Sequence, residues 1–219
     1  AQFKAALRPS EGKFTPYLPE STTMMLLING KGADYLDYLT RTPYLESAVG
    51  SNYRFWKAMF EAIDGEAVIA LTGISDSGFS IMAYAELLPE ITEPQMKEIL
   101  SRWSLDSANW GIKDHCLYWT TDKTLADNAF KKASPSFDGT KYGKNSEDKP
   151  VYMLMDMKKF FDNPLLGQAM QKMGPNSKFL SFLVSTECGL NDKHELVIKL
   201  NLTDDNENVL KQLVNLLTN

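Results

Sequence analysis

The fold class is decided by residues 65–87, GEAVIALTGISDSGFSIMAYAEL. The β-prone runs VIALTG and SIMAYAEL flank SDSG at 75–78, which has the composition of a turn. Two such runs around a Ser/Asp/Gly turn are typical of an antiparallel hairpin. We therefore expect a β-hairpin over this stretch.

The segment before the hairpin predicts one strand and two helices. The run MMLLING at 24–30 is short, apolar and bounded by breakers, which favours a buried strand. Apolar residues at helical spacing follow, first up to Pro43 and then from Ser51 as an N-cap. Asp64-Gly65 is expected to end the second helix.

The segment after the hairpin predicts a helix, a strand and a short helix. Thr92 is a predicted N-cap, with Pro94 in the first turn of its helix. HCLYWTTD at 115–122 is β-prone, and its Asp122 is placed to cap a short helix over 125–133.

The same order of elements recurs after residue 150. VYMLMDM at 151–157 predicts a strand, KKFFDNPLLGQAMQKM at 158–173 a broken helix, and 179–189 with 194–202 a second hairpin. Alternation of apolar residues in HELVIKLNL, 194–202, predicts a half-buried strand. A final helix is expected after Asp204 or Asp205, with its apolar stripe at Val209, Leu210, Leu213, Leu216 and Leu217.

This recurrence predicts an α+β fold built from a duplicated β-α-β-β-α unit, although chance reuse of a common order is the alternative. The hairpins are antiparallel, with helices packed on one sheet face and the other face partly wet. The chain is predicted to begin with an N-terminal extension over 1–20, followed by a first unit with an added strand-helix pair over 21–133. A Ser/Gly/Asn-rich linker over 134–150 then leads to a second unit over 151–219. The two units are expected to share one compact fold.

Composition narrows the class of partner. The chain has 219 residues, 43% of them hydrophobic and 23% charged, with a formal net charge of −5. Such a chain can bury a core, but its acidic balance disfavours nucleic acid and anionic lipid as primary partners. No apolar run approaches the length of a transmembrane helix.

The residues that could carry metal or nucleophilic chemistry are few: His115, Cys116, Cys188 and His194. Their count fits zinc, but adjacent His115 and Cys116 would point to opposite faces of a strand, so we expect no metal and no cofactor. Consecutive Asp114-His115-Cys116 cannot supply triad geometry. A hydrolase site near Cys188 and His194 remains the enzymatic alternative.

Two further features are candidate recognition elements. Asn29-Gly30-Lys31-Gly32 lies between a strand and a helix, as phosphate-binding loops do, but it lacks their motifs and is interpreted as a tight turn. Tyr84 and Trp119 lie in the middle of predicted strands and are the candidate ligand-binding residues. Tyr118 is the alternative partner of Tyr84, and burial of both rings is the competing expectation.

Four segments carry a family resemblance: LPESTTMMLLINGKGADYL, AIDGEAVIALTG, PVYMLMDMKKFFDNP and NVLKQLVNLL. Together they resemble an uncharacterised lipoprotein family of Bacteroidales (domain of unknown function, family number 4836), over about residues 18 to 217. The resemblance implies the cell envelope, in the periplasm or at the outer-membrane surface. It also implies membrane attachment only through an N-terminal lipid anchor outside this sequence, and it supplies no catalytic residues.

The expected function is that of a non-enzymatic binding or scaffolding domain of an envelope lipoprotein, with a protein or glycan partner. The sequence contains no recognisable set of catalytic residues, so we favour a protein that is not an enzyme. The alternatives are the hydrolase near Cys188 and His194 and a purely structural half of a larger envelope protein.

Overall fold

The computed structural model describes residues 7–40, 53–75, 78–102, 104–164, 183–190, 195–202 and 211. Their eight strands form one antiparallel sheet: β1 (Met24–Lys31), β2 (Ile63–Ser75), β3 (Gly78–Leu87), β4 (Asn109–Lys113), β5 (Cys116–Thr120), β6 (Val151–Met155), β7 (Leu183–Leu190) and β8 (Leu196–Leu202). Six helices accompany them: α1 (Gly32–Thr40), α2 (Tyr53–Ala62), α3 (Glu93–Ser101), α4 (Lys123–Asp127), α5 (Lys141–Ser146) and α6 (Met157–Asp162). The α+β prediction is confirmed.

The strand order β4-β5-β3-β2-β1-β6-β7-β8 has a centre of near-symmetry between β1 and β6. In each half, the first strand pairs with the second and the second with the third, and β1 and β6 pair antiparallel to join the halves. This connectivity is the one that a duplicated unit would give. Of the final predicted helix, Lys211 alone lies within the described residues, and it is helical.

Local sequence signals account for several of the observed helix and strand ends. The hairpin of β2 and β3 runs over 63–87, so the hairpin prediction is confirmed. α3 begins after Thr92, whose capping box with Gln95 satisfies backbone donors at the helix N-terminus. Asp122 caps α4 by accepting from the amides of Thr124 and Leu125. The helix end expected at Asp64-Gly65 is not observed. The chain passes directly from α2 into β2 after Ala62, so both residues lie in the strand.

The two faces of the sheet are covered differently. We call the side that carries Met25, Val68, Tyr84 and Tyr152 the covered face, because these side chains are at most 3% exposed. On the other side, the helical face, Met96 and Leu100 of α3 pack with Ala85, Leu87 and Leu117. That face is open at the centre of the sheet, where Leu26, Ile69 and Met153 are 42%, 48% and 44% exposed.

The segments interpreted as an N-terminal extension and a linker both contribute to the cover of the sheet. Phe14, Leu18 and Phe137 are completely buried in the core of the covered face, and Tyr142 of α5 joins them. Residues 1–6 lie outside the described part. These segments are rich in Pro, Gly and polar residues, so their few apolar anchors carry no periodicity that a sequence reading could detect.

Two strand predictions also need correction. The sequence analysis did not predict β4, because NWGIK has only five residues and a central glycine. β4 pairs with β5 and forms a further hairpin. β8 was predicted to be half-buried, yet Leu196, Ile198 and Leu200 are 64%, 61% and 60% exposed. Alternation identified the strand but could not tell that β8 would be the last strand of the described sheet.

Candidate functional site

Tyr84 and Trp119 do not form a shared surface. Tyr84 faces Tyr118 across the β3–β5 pairing, while Trp119 faces Ala83, so the two candidate rings lie on opposite sides of the sheet. Tyr84 is 2% exposed and stacks on Phe14 with ring centroids 5.3 Å apart. The prediction of an exposed patch containing Tyr84 is therefore wrong, because the N-terminal segment covers that face.

Trp119 is half-buried and has a structural environment. Its indole Nε1 donates a hydrogen bond to the carbonyl oxygen of Leu105 at 3.1 Å, and its ring packs at the edge of the cluster beneath α3. Tyr118, the alternative partner of Tyr84, does share the covered face, but it packs edge-on against Phe130 at 5.9 Å. The competing expectation was that the aromatic rings would be buried, and this is what the structure shows for Tyr84.

The cysteines lie far apart. Cys116 is buried on β5, and Cys188 is half-buried on β7, with four strands between β5 and β7 in the sheet. Five strand spacings correspond to roughly 24 Å, too far for a disulfide or a common metal ion. Burial raises the pKa of the Cys116 thiol although Lys13 opposes it, so this thiol is not activated as a nucleophile.

The remaining candidates are settled only in part. His194 lies outside the described residues, so the hydrolase near Cys188 and His194 stays a prediction. In the described part of the chain, no group of three His, Cys, Asp or Glu residues could hold a metal ion.

Asn29-Gly30-Lys31-Gly32 is a direct strand-to-helix junction: β1 ends at Lys31 and α1 begins at Gly32. The Asn29 amide donates to the carbonyl oxygen of Pro9 at 2.7 Å.

A cleft of about 390 Å³ lies on the covered face, between α5 with its following turn and the strands β6 to β8. We call it the Glu187 cleft. Its residues are Lys144, Asn145, Glu147, Lys149, Tyr152, Glu187, Cys188, Gly189, Leu190, Val197 and Lys199. Its volume is within the range typical of small-molecule sites.

Glu187 is the centre of a hydrogen-bond network in this cleft. It is 5% exposed, and its Oε2 accepts from Tyr152 Oη at 2.8 Å and from Asn145 Nδ2 at 2.7 Å. Its Oε1 accepts from Asn201 Nδ2 at 2.9 Å, and Lys199 Nζ lies 3.8 Å from the same oxygen. Both carboxylate oxygens are therefore occupied, and the network ties α5 to three neighbouring strands.

The network fixes the protonation states at neutral pH. Burial raises the pKa of Glu187, but the hydrogen bonds from Tyr152, Asn145 and Asn201 and the charge of Lys199 outweigh it and hold the pKa below its ordinary value. Burial, reinforced by the Glu187 carboxylate, raises the pKa of Tyr152. Glu187 is thus an anion and Tyr152 a neutral donor, so neither is poised to exchange protons near neutral pH.

The rim of the cleft carries positive charge that this network does not use. Three lysines and two glutamates contribute to the lining, an excess of one positive charge. Lys199 is next to Glu187, whereas no carboxylate of the described residues lies within 4.0 Å of Lys144 or Lys149. The cleft can therefore attract an anionic group while its buried carboxylate remains satisfied.

Sequence reasoning missed this site. Tyr152 and Glu187 were assigned to strands, and Asn145 to a linker, with no reason to bring them together. The one available signal was Glu187 itself, a charged residue between Thr186 and Cys188 in the middle of a β-prone stretch.

Comparisons with known proteins give little further information. No protein-family model and no curated protein matches the chain. A solved structure described as "Structure of crystal form I of TP0453" aligns with 98% of this chain and 87% of its own, at 11% identity and a TM-score of 0.46. A likeness at this level carries no inference about what the chain does. Among the described residues, no helix is long and apolar enough to span a membrane.

Proposed function

We propose that this chain is a non-enzymatic binding domain and that the Glu187 cleft receives an anionic group of its ligand. The observation that carries the proposal is the pair of rim lysines, Lys144 and Lys149, beside a buried carboxylate whose two oxygens already accept hydrogen bonds within the protein. A lysine ammonium beside a concave, partly desolvated surface favours carboxylate or phosphate groups. The lysines and hydrogen-bonding side chains in the lining suit a small acidic molecule or an acidic sugar of a glycan.

The chemistry of the cleft supports binding rather than catalysis. A general base needs a pKa near the working pH, and the pKa of Glu187 is held below its ordinary value by its hydrogen bonds and by Lys199. A tyrosine with a raised pKa is not a nucleophile at neutral pH. The side chain of Cys188 lies on the opposite side of the sheet from that of Glu187, because the two residues are consecutive on β7.

Isothermal titration calorimetry of the full chain tests the proposal with three probes: glucuronate, inorganic phosphate and neutral glucose. Binding of glucuronate but not of glucose supports recognition of a carboxylate, and phosphate separates general anion binding from carboxylate recognition. Lys144→Gln with Lys149→Gln should weaken binding by about tenfold or more. The matched control is Lys123→Gln with Lys132→Gln, which removes two lysines outside the cleft lining.

Two results would contradict the proposal. Equal heats for glucuronate and glucose would show that charge is not recognised, and equal losses in both lysine pairs would show that the cleft is not the site. A hydrolytic activity that disappears in Cys188→Ala would instead support the enzymatic alternative.

A place in the cell envelope is part of the proposal and is supported by the family resemblance of the sequence. Fractionation of cells of the source organism, with an antibody against this chain, tests it. Recovery with the membrane or periplasmic fraction agrees with the proposal, and recovery in the cytosol opposes it.

A further inference from the structure

The outer edge of β8 differs from ordinary sheet edges. β8 is the last strand of the described sheet, and no described strand pairs with its outer side. Leu196, Val197, Ile198 and Leu200 are between 49% and 64% exposed. Strand edges that expose apolar residues tend to pair with another strand, and proteins usually blunt them with charge, proline or short length. β8 has seven residues and no proline, and Lys199 is its one charged residue.

The charges along this edge are arranged to match a second copy of the same edge. Glu195 immediately precedes β8, and Glu195, Val197 and Lys199 share one side of the strand because side chains alternate. In an antiparallel pair related by a twofold axis at Val197, Glu195 of each copy lies opposite Lys199 of the other. Leu196 then lies opposite Ile198 on the other side, so both sides of the pair are complementary.

We propose that two copies of this chain associate through β8, antiparallel and centred on Val197, so that their sheets become continuous. The charge pattern selects this register. A twofold axis at Lys199 would place two lysines opposite each other, and an axis at Ile198 would leave Lys199 opposite Val197. Twofold pairing of one edge with itself is the simplest closed assembly, and it leaves no further edge of this kind exposed.

Sedimentation velocity of the full chain over a wide concentration range tests the proposal. The wild-type chain should form a dimer, and Glu195→Lys should weaken dimerisation by about tenfold or more, because it places like charges opposite each other twice. The double variant Glu195→Lys/Lys199→Glu should restore the dimer, since it exchanges the charges within each pair. Glu90→Lys, an equal change of charge on an exposed loop, should have no effect.

The outcomes separate this register from other contacts. Mixing Glu195→Lys with Lys199→Glu should give a heterodimer, because all cross-strand pairs are then of opposite charge. Lys199→Glu also faces Glu187 and lowers stability, so Glu195→Lys, which lies outside the cleft, is the primary variant. A monomer at every concentration, a dimer that Glu195→Lys leaves unchanged, or a double variant that folds as stably as the wild type and still fails to recover the dimer would each overturn the proposal.

Discussion

Two buried carboxylates on the covered face, Glu66 of β2 and Glu187 of β7, have opposite surroundings. Glu66 is 1% exposed and accepts from Ser10 Oγ and from the backbone amides of Glu11, Gly12 and Phe14, at 2.9 to 3.3 Å. Its donors belong to the N-terminal segment, which it holds against the sheet. The second strand of each half thus carries a buried carboxylate, but only that of the first half is enclosed by main chain.

Glu187 is held by side chains and borders an open cleft. Two of its donors, Asn145 and Asn201, are partly buried side chains that can turn towards solvent if the carboxylate is lost, whereas the backbone amides around Glu66 are fixed by the chain. The comparison teaches that burial alone does not distinguish a structural carboxylate from one in a binding site. What distinguishes them is whether the donors are main chain or side chain and whether solvent has access.

The largest expected effect is that of Glu66→Ala. It leaves three backbone amides and a hydroxyl without their acceptor, so the free energy of unfolding should fall by about 3 kcal/mol or more. Urea unfolding measures this, and limited trypsin digestion at Lys13 should become faster because the N-terminal segment is released. Glu61→Ala is the control, since Glu61 is half-exposed in a surface ion pair with Lys57, and it should change stability by no more than about 0.5 kcal/mol.

Glu187→Ala should cost less, about 1–2 kcal/mol in the same urea experiment, because two of its three donors, Asn145 and Asn201, are partly buried and can reach the solvent of the cleft. A loss as large as that of Glu66→Ala would contradict the distinction between the two carboxylates. The m-value should stay unchanged in Glu187→Ala, since no large segment is released.

A pH series sharpens the comparison further. The pKa of Glu187 is lower in the folded protein than its ordinary value, so its contribution to stability is present above the ordinary glutamate pKa of about 4.3 and is lost as the pH falls through the lower folded value. Urea unfolding from neutral pH downwards should show a weaker loss of stability in Glu187→Gln than in the wild type. Identical slopes in the two proteins would mean that Glu187 is not held ionised by its neighbours.

The elements that the sequence predicted well are those with local causes. The hairpin over 65–87 depends on neighbouring runs and a turn, and α3 depends on Thr92, Pro94 and Gln95 within one helical turn. Alternation left open whether Trp119 or Tyr118 shares a side of the sheet with Tyr84, and the strand pairing shows that Tyr118 does. What it could not provide was which side would be covered, because Phe14 reaches Tyr84 from seventy positions earlier in the chain.

The candidate site escaped prediction for the same reason. Glu187 meets Tyr152 and Asn145 across separations of 35 and 42 residues, and one of these partners lies in a stretch with the composition of a linker. A single asparagine in a polar segment gives no periodic signal, and only the sheet order brings β7 beneath α5.

The central claim is that the Glu187 cleft, and not the enclosed surroundings of Glu66, receives an anionic group. A titration of the ¹⁵N-labelled full chain with glucuronate, followed by ¹H–¹⁵N correlation spectra, tests this most directly. The account predicts that the shifted amides lie in 144–149 and along β7 and β8, and that Lys144→Gln/Lys149→Gln abolishes these shifts at unchanged stability. Shifts confined to residues 10–14 around Glu66, or no shifts at all, would contradict it.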